Sequence, residues 1–438
     1  MPSTDDAPLI ELGVRDAADR IRRGTGSAVA LAEACLARVA AREPEVQAWV
    51  HVDADGALAA ARERDAEVRA GRLRGPLHGV PVGIKDIFDV AGLPTTAGAR
   101  AFAHTRPERD STAVARLRAA GAVVLGKTHT TQFAFRDPAP TRNPWNRAHT
   151  PGGSSSGSAA AVAARMVPAA IGSQTVGSIL RPAAFCGVVG LKGPHGLVPL
   201  DGVVPLAWSF DHAGPFARSV GDAALLLSVL GDVLIEPVPV QAPRLAIGRQ
   251  LFDRAEPGLR QHLDAIVARL IADGARVTEL TLPASLGEIH AAGQVILEVE
   301  AATYHQAAFA RHGADYGPGI GEAVASGLKR LATEYVAANR ARLAFREAML
   351  PLLEAHDALL SPTAPGAAPA GLHWTGDASL CAPWSSAGVP SITLPTGLDA
   401  GGLPLALQLV QAPGGLARLL GVAAWCERAV GFDARPRE

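Results

Sequence analysis

Apolar residues recur at helical spacing along several stretches of the chain, and short apolar runs of strand length lie between them. The spacing predicts helices over residues 27–42, 57–70, 111–120, 257–273 and 416–430. Strands are predicted at residues 80–84, 122–125, 276–282, 391–395 and 405–410. Twice a helix, a glycine cap and a strand follow one another, with Gly121 and Gly274 as the caps. This alternation indicates an α/β protein.

Between about residues 286 and 350 the pattern becomes helical and rich in alanine. We expect this helical region either to cover a site or to form one more layer of the same domain. The length alone suggests roughly three domains, but no composition shift marks a linker between them.

Composition and charge narrow the class of protein. Hydrophobic residues make up 48% of the chain and charged residues 19%, which is typical of a globular protein with a large core. The net charge of −1 gives no support to binding nucleic acid or acidic membranes through bulk charge. The N-terminus lacks the pattern of a secretory signal, and no apolar run reaches membrane-spanning length. We therefore expect a cytoplasmic protein.

The cysteines do not indicate a metal site or a disulfide framework. They lie far apart in the sequence and form no C-x-x-C pair, at Cys35, Cys186, Cys381 and Cys426. We expect four reduced thiols in the core and no metal.

One motif match stands in the wrong structural context. Residues 121–128 fit the phosphate-loop pattern G-x-x-x-x-G-K-[ST]. A phosphate loop needs a strand before its first glycine and a helix after its lysine. Here a helix is predicted before Gly121, and the apolar run after it is itself a predicted strand, so we expect no nucleotide site.

A second match concerns the serine-rich loop at residues 151–158. Residues 153–157 fit the G-x-S-x-G nucleophile elbow, with Ser155 as the nucleophile. The elbow requires a strand leading into it, whereas the upstream residues 141–151 contain prolines and polar residues typical of a loop. The elbow stays a minor alternative, and a flexible turn is the simplest interpretation of this loop alone.

Lysine is scarce, since only four of the 41 basic residues are lysine. Lys85 directly follows the predicted strand at 80–84, upstream of the serine-rich loop and of Ser178. A desolvated lysine can lose its proton, whereas arginine effectively cannot. Lys85 is therefore a candidate base, although an ordinary surface lysine fits the sequence equally well when Lys85 is considered alone.

Taken together, these segments resemble the amidase signature family. The matching stretches run in order through most of the chain, at residues 79–87, 120–128, 143–146, 151–163, 182–192, 211–215 and 361–365. The resemblance implies that residues 1–438 form a single domain with a three-layer α/β/α fold around a mixed sheet. It also implies an amidase that works through an acyl-enzyme and needs no metal or cofactor.

The family's Ser-Ser-Lys triad corresponds to Ser178 as nucleophile, Ser154 as bridging serine and Lys85 as base. A serine hydroxyl needs an adjacent base, and lysine can serve only where burial lowers its pKa. Ser154 would carry a proton from Ser178 to Lys85 and return it to the departing amine. The resemblance also implies a cis peptide bond between Gly153 and Ser154.

The resemblance further implies an oxyanion hole made of the backbone N–H groups of Thr175, Val176, Gly177 and Ser178. Val176 stands where most family members have glycine. Because a β-branched residue tolerates a positive φ badly, either Val176 has ordinary backbone angles or the loop is reshaped. Its side chain should also narrow the pocket.

Two further departures look coupled. Gln174 replaces the family's usual aspartate and Leu180 its usual arginine, and losing both avoids leaving one buried charge unpaired. Arg181 lies one place after the usual arginine. It is expected either to bind a substrate carboxylate in a bidentate pair or to hold the loop through carbonyl groups.

We therefore expect an amidase acting on a small amide, with a carboxylate-bearing amide favoured if Arg181 faces the pocket. The alternative is a glutaminase of the amidotransferase A type, which supplies ammonia to a tRNA-dependent transamidation complex. Neither nucleic acid nor membrane is expected as a direct partner. The sequence leaves monomer and homodimer open.

Overall fold

The computed structural model describes residues 8–437, which contain a mixed eleven-stranded sheet. The strands are β1 Trp49–Val52, β2 Pro81–Lys85, β3 Val123–Thr128, β4 Ala169–Gln174, β5 Val189–Lys192, β6 His212–Ala217, β7 Arg244–Gly248, β8 Arg276–Leu280, β9 Ala358–Pro362, β10 Ser391–Leu398 and β11 Pro404–Val410. Their order across the sheet is β1-β3-β2-β4-β6-β5-β10-β11-β9-β7-β8. Strand β2 runs parallel to both β3 and β4, whereas β4 and β6 are antiparallel.

Helices alternate with these strands along most of the chain. They are α1 Val14–Arg22, α2 Ala28–Val46, α3 Ala54–Arg69, α4 Thr112–Ala119, α5 Ser156–Ala163, α6 Leu180–Cys186, α7 Val220–Gly231, α8 Arg249–Phe252, α9 Pro257–Ala272, α10 Ile289–His312, α11 Pro318–Gly327, α12 Ala332–Glu354, α13 Ala382–Ser386 and α14 Leu416–Val430. The α/β fold predicted from the sequence is confirmed.

The predicted elements are present, with small shifts at their ends. The closing helix α14 has the predicted bounds, and α2 begins after Ser27, whose side chain accepts a hydrogen bond from the N–H of Ala30. Strand β3 continues three residues beyond its predicted end, to Thr128. Strands β2 and β4 are buried along their whole length, which explains their continuous apolar runs.

The region rich in alanine folds as α10, α11 and α12, as its helical pattern predicted. Its attachment to the preceding loop is polar. The carboxylate of Asp137 accepts hydrogen bonds from the N–H groups of Gly319 and Ile320 at the start of α11, at 2.8 and 2.9 Å. The side-chain amide of Gln132 donates to the carbonyl of Asp315 at 2.7 Å. These contacts hold the helical region against the loop at residues 130–137.

The segment that matches a phosphate loop has another structure. Helix α4 precedes Gly121, and residues 123–128 form β3. Gly121 has a φ of +94°, and a Cβ there would lie 2.7 Å from the Cα of His78, so glycine is required for a tight turn. The Lys127 ammonium lies 2.8 Å from the Asp86 carboxylate, and both side chains are fully buried. The prediction that this is not a nucleotide site agrees with that geometry.

All four cysteines are buried and free, as predicted. Within residues 8–437, no group of three or more histidine, cysteine, aspartate or glutamate side chains is arranged to hold a metal ion. Every helix in the same part of the chain is too short or too polar to span a membrane.

Candidate active site

Lys85 ends β2 and is fully buried. Its Nζ lies 2.7 Å from the Oγ of Ser154 and 2.8 Å from the Oγ of Ser173. Burial holds the pKa of Lys85 well below its usual value, and the Asp211 carboxylate opposes that shift. Lys85 is thus a buried amine held between two hydroxyls, and the surface-lysine alternative is wrong.

The serine-rich loop brings Ser154 to this lysine through close backbone contacts. Gly152 has a φ of +83°, and a Cβ there would lie 2.9 Å from the Cα of Pro182. The Gly153–Ser154 peptide bond is cis, as predicted. The carbonyl of Ser154 accepts a hydrogen bond from the N–H of Thr131 at 3.1 Å. The first two glycines of this loop therefore allow an approach that larger residues would block.

Ser155, the nucleophile of the elbow alternative, points elsewhere. It is fully buried directly before α5. Its Oγ donates to the carbonyl of Ser173 at 3.2 Å and accepts from the N–H of Ser173 at 3.3 Å. Ser155 therefore attaches the loop to β4 and does not line the cavity described below.

Ser178 lies in the loop between β4 and α6. This loop contributes Thr175, Val176, Gly177 and Ser178 to the wall of a cavity. Among the residues that the structure describes, the backbone N–H groups of Thr175, Val176, Gly177 and Ser178 donate no hydrogen bond. These backbone donors belong to the same loop as Ser178 and line the same cavity, so they are available to an acceptor bound there.

Val176 does not have a positive φ, so the first of the two expectations for this position holds. Gly177 is required by packing, since a Cβ there would lie 2.9 Å from the Cβ of Ala378. The carbonyl of Val176 accepts a hydrogen bond from the Oγ of Ser385 at 2.7 Å. The loop is thus held by contacts with the segment that contains Ala378 and with α13.

Gln174 fills the place of the family's aspartate with neutral hydrogen bonds. Its Oε1 accepts from the N–H groups of Ile179 and Leu180, at 2.8 and 2.9 Å, and so caps the first turn of α6. Its Nε2 donates to Ser385 at 2.9 Å. Leu180 is apolar and buried, so neither residue 174 nor residue 180 places an unpaired charge in the protein interior.

The two serines of the expected triad are close in the fold but not directly bonded. Within residues 8–437, no hydrogen bond joins the hydroxyls of Ser154 and Ser178, although the N–H of Ser155 donates to the carbonyl of Ser178 at 3.4 Å. The structure therefore brings Lys85 and Ser154 into contact and places Ser178 on the cavity wall.

Arg181 is 6% exposed and lines the same cavity. Its guanidinium donates to the carbonyl of Gly153 at 2.7 Å, to Thr375 Oγ1 at 3.1 Å and to the carbonyl of Gly376. Its Nε has no partner among residues 8–437, and no carboxylate lies within ion-pair distance in that part of the chain. Burial lowers the pKa of Arg181 to about 10, with Asp377 among the groups that oppose the shift from beyond ion-pair distance, so the side chain is charged at neutral pH.

The cavity has a volume of about 370 Å³. Besides the Ser178 loop and Arg181, its wall consists of residues from four places in the sequence: residues 134–136, Leu206 with Phe210, the first turns of α10, and residues 374–386. Its other ionisable side chains are Arg136, His290 and Asp377. Burial, with help from Arg254, lowers the pKa of His290, and Asp377 opposes that shift. The sequence patterns did not indicate these residues, because they lie on loops and on the variable helical region.

A family profile described as Amidase matches residues 30–420 of the chain. The chain belongs to the amidase family. This amidase-family protein is 35% identical to the A-type component of glutamyl-tRNA(Gln) amidotransferase from Roseiflexus castenholzii, in an alignment that covers 92% of each chain. A solved structure described as an amidase has a TM-score of 0.90 at 34% identity and covers 96% of this chain and 100% of its own. The peptide amidase of Stenotrophomonas maltophilia has a TM-score of 0.85 at 31% identity, covering 98% and 99%.

These comparisons confirm the family and the fold that the sequence predicted. They support an amidase-signature hydrolase at the level of class. The relatives differ in what they are named for, since the Roseiflexus protein is part of an amidotransferase, whereas the solved structures are amidases. The names of the relatives therefore do not identify the amide that this cavity binds.

Proposed function

We propose that this amidase-family hydrolase cleaves the C–N bond of a small amide, with Ser178 as nucleophile, Ser154 as proton relay and Lys85 as base. The observation that carries the proposal is the fully buried Lys85 amine, 2.7 Å from Ser154 Oγ and without a carboxylate in direct contact within residues 8–437. Because burial favours the neutral amine, Lys85 is able to accept a proton near neutral pH.

The proposed reaction begins when Ser178 Oγ attacks the amide carbon. Ser154 takes the proton of Ser178 and passes its own proton to Lys85. The carbonyl oxygen becomes an oxyanion, which accepts hydrogen bonds from the free N–H groups of the loop formed by Thr175, Val176, Gly177 and Ser178. The C–N bond then breaks as the proton returns through Ser154 to the departing nitrogen. Water releases the acid from the acyl-enzyme by the same steps.

This route requires a hydrogen bond between Ser178 and Ser154. Contacts of this kind often become short only when a substrate is bound, and rotation of one serine side chain about χ1 is enough to redirect its hydroxyl. The neighbouring backbone contact between Ser155 and Ser178 keeps the two loops together.

The buried charge of Arg181 supports an amide that carries a carboxylate. A buried guanidinium without an acidic partner is costly, and an anionic group bound in the cavity would offset that cost. The protein supplies only neutral acceptors to this side chain among its described residues, and the Nε donor remains unused. Half-amides of short diacids, such as succinamate, fit this requirement.

A second candidate function is hydrolysis of glutamine to supply ammonia for transamidation, and the named amidotransferase relatives favour it. Glutamine is itself a carboxylate-bearing amide, so Arg181 would bind the carboxylate of either candidate substrate. The two differ in charge, because glutamine also carries an α-ammonium group. Asp377 is the one carboxylate among the described residues of the cavity wall, and it would stabilise that ammonium while repelling a simple half-amide.

The test measures ammonia release from succinamate, methyl succinamate and glutamine by wild-type protein and by Lys85→Arg. We expect hydrolysis by the wild type and none by the arginine variant, since a permanently charged side chain accepts no proton. Wild-type turnover by Lys85→Arg at neutral pH would remove Lys85 from the role of base.

The variant Asp377→Asn separates the two candidates. If glutamine is the substrate, the substitution should raise the KM for glutamine at least severalfold, because the ammonium loses its anion. If a half-amide is the substrate, the substitution should leave or lower its KM. Recovery of the protein in a stable complex with other proteins would also favour the glutamine candidate.

A further inference from the structure

We propose that Asp211 is a positioning residue that couples the proposed oxyanion loop to the proposed base. It contacts neither of the two serines, and none of the sequence patterns gave it a role. The inference rests on the proposed function of Lys85 and adds a residue to that site.

The Asp211 carboxylate connects two walls of the cavity. Asp211 is buried directly before β6. Its Oδ1 accepts a hydrogen bond from the Oγ1 of Thr175 at 2.5 Å, and its Oδ2 accepts from the N–H groups of Leu206 and Ala207 at 2.8 and 3.0 Å. Thr175 and Leu206 both line the cavity. One carboxylate thus fixes the start of the Ser178 loop relative to the opposite wall.

Asp211 also lies near Lys85 in the sheet, because β6 pairs with β4 and places Ala213 opposite Ser173, the second hydroxyl that contacts Lys85. Burial lowers the pKa of Lys85, and Asp211 opposes that effect. The adjacent Asp86 is compensated by its ion pair with Lys127 on β3, at 2.8 Å. Strand β4 and helix α5, which pack against β2, carry no charged side chain, and the charged side chains of α2, which also packs against β2, are not among the groups that shift the pKa of Lys85. Asp211 is therefore positioned to stabilise the ammonium that forms when Lys85 accepts a proton.

The charge state of Asp211 matters for this role. Burial raises the pKa of Asp211 to about 6, and its three hydrogen bonds limit the rise, while nearby Glu300 adds to it. The carboxylate is ionised above about pH 6, where it can favour proton uptake by Lys85. Below that pH it becomes neutral, and both the charge and the strong acceptor for Thr175 are lost.

The direct test is the pH dependence of kcat/KM for Asp211→Asn, with succinamate or glutamine as the substrate. Asparagine keeps an acceptor for Leu206 and Ala207 but has no charge. We expect the acidic limb of the profile to move to lower pH, since Lys85 loses the anion that raises its pKa. A variant with lower activity and an unmoved acidic limb would overturn the electrostatic part of the proposal.

Glu300→Gln is the matched control. Glu300 is also buried and accepts three hydrogen bonds, from the N–H and hydroxyl of Ser209 and from the hydroxyl of Tyr335, but it is not among the groups that shift the pKa of Lys85. Its acidic limb should move much less than that of Asp211→Asn, because Glu300 acts on the pKa of Asp211 and does not act directly on that of Lys85. An equal shift in both variants would show a general effect of buried charge and contradict the proposal.

Two substitutions of Thr175 test the positioning part even if Asp211→Asn fails to fold. Thr175→Ser keeps the hydroxyl and should keep most of the activity, whereas Thr175→Val should lower kcat by about tenfold or more because the oxyanion donors lose their support. Equal kcat values for the two variants, at equal thermal stability, would contradict the coupling. If Lys85→Arg is active, the proposed function itself fails, which is a separate outcome.

Discussion

Replacing Arg181 by methionine should change the selectivity of the enzyme for acidic amides. Methionine is unbranched and of moderate length, so it fills much of the same space without charge or hydrogen-bond donors. A hydrogen bond to a charged group contributes about 1.5–3 kcal/mol, which corresponds to roughly 10- to 150-fold in kcat/KM. We expect the preference for succinamate over its neutral methyl ester to fall by that factor.

The structural cost of the same substitution must be separated from its effect on binding. Arg181 also donates to the carbonyls of Gly153 and Gly376 and to Thr375, so the variant should be less stable and slower with every substrate. The assay therefore compares the ratio of kcat/KM values for the acidic and neutral amides, in which a general loss cancels.

Arg136→Met is the matched control, because Arg136 lines the same cavity but is exposed to solvent and donates to Gln294 at 2.9 Å. Its selectivity ratio should change by less than about threefold, as expected for a well-solvated charge. If Arg181→Met lowers the activity toward both amides equally, Arg181 has a structural role only, and the argument for an acidic substrate fails.

Two further predictions concern the other buried lysines. Lys127→Met should destabilise the protein by about 3–5 kcal/mol in urea denaturation, since it leaves the buried Asp86 carboxylate unpaired, and adding Asp86→Asn should recover most of the loss. A loss below about 1 kcal/mol would contradict this account of the ion pair. Lys192 is fully buried and donates to the carbonyl of Val389, and burial lowers its pKa to about 7. The unfolded chain therefore binds more protons above pH 7, so the free energy of unfolding should rise from pH 7 toward pH 10 more steeply in wild type than in Lys192→Met. Parallel pH profiles would contradict the shift.

The sequence predicted the elements whose burial pattern is regular. Strands β2 and β3 are neighbours in the sheet. The sequence predicted each of them from a short apolar run next to a loop or a glycine-capped helix. The family resemblance then connected Lys85 to Ser154, which lie 69 residues apart in the chain. The periodicity of apolar residues does not predict this contact, because the contact depends on the order of the strands across the sheet.

Ser173 was missed, although it lies as close to Lys85 as Ser154 does. A signal was present, since Ser173 is a polar residue that directly follows the apolar run at residues 169–172 of β4. A buried hydroxyl in such a strand needs a hydrogen-bond partner, and a lysine at the end of the adjacent strand is an obvious one.

The residues of the cavity wall could not be predicted from the sequence, for a different reason. Phe133 and the cavity residue Ala134 have positive φ angles of 48° and 59°, which local preference disfavours for non-glycine residues. Packing favours this conformation, because the Phe133 ring stacks on Tyr316 with a centroid distance of 4.9 Å. Tertiary contacts of this kind cannot be deduced from a local pattern.

The central claim is that Ser178 becomes acylated. The most direct measurement is peptide mass spectrometry of wild-type, Ser155→Ala and Ser178→Ala proteins, quenched in acid after brief exposure to a panel of small amides that includes succinamate and glutamine. The proposed mechanism predicts an acyl adduct on the peptide containing Ser178 in wild type and in Ser155→Ala, and none in Ser178→Ala. An adduct on Ser155, or continued acylation of the Ser178→Ala protein, would contradict it.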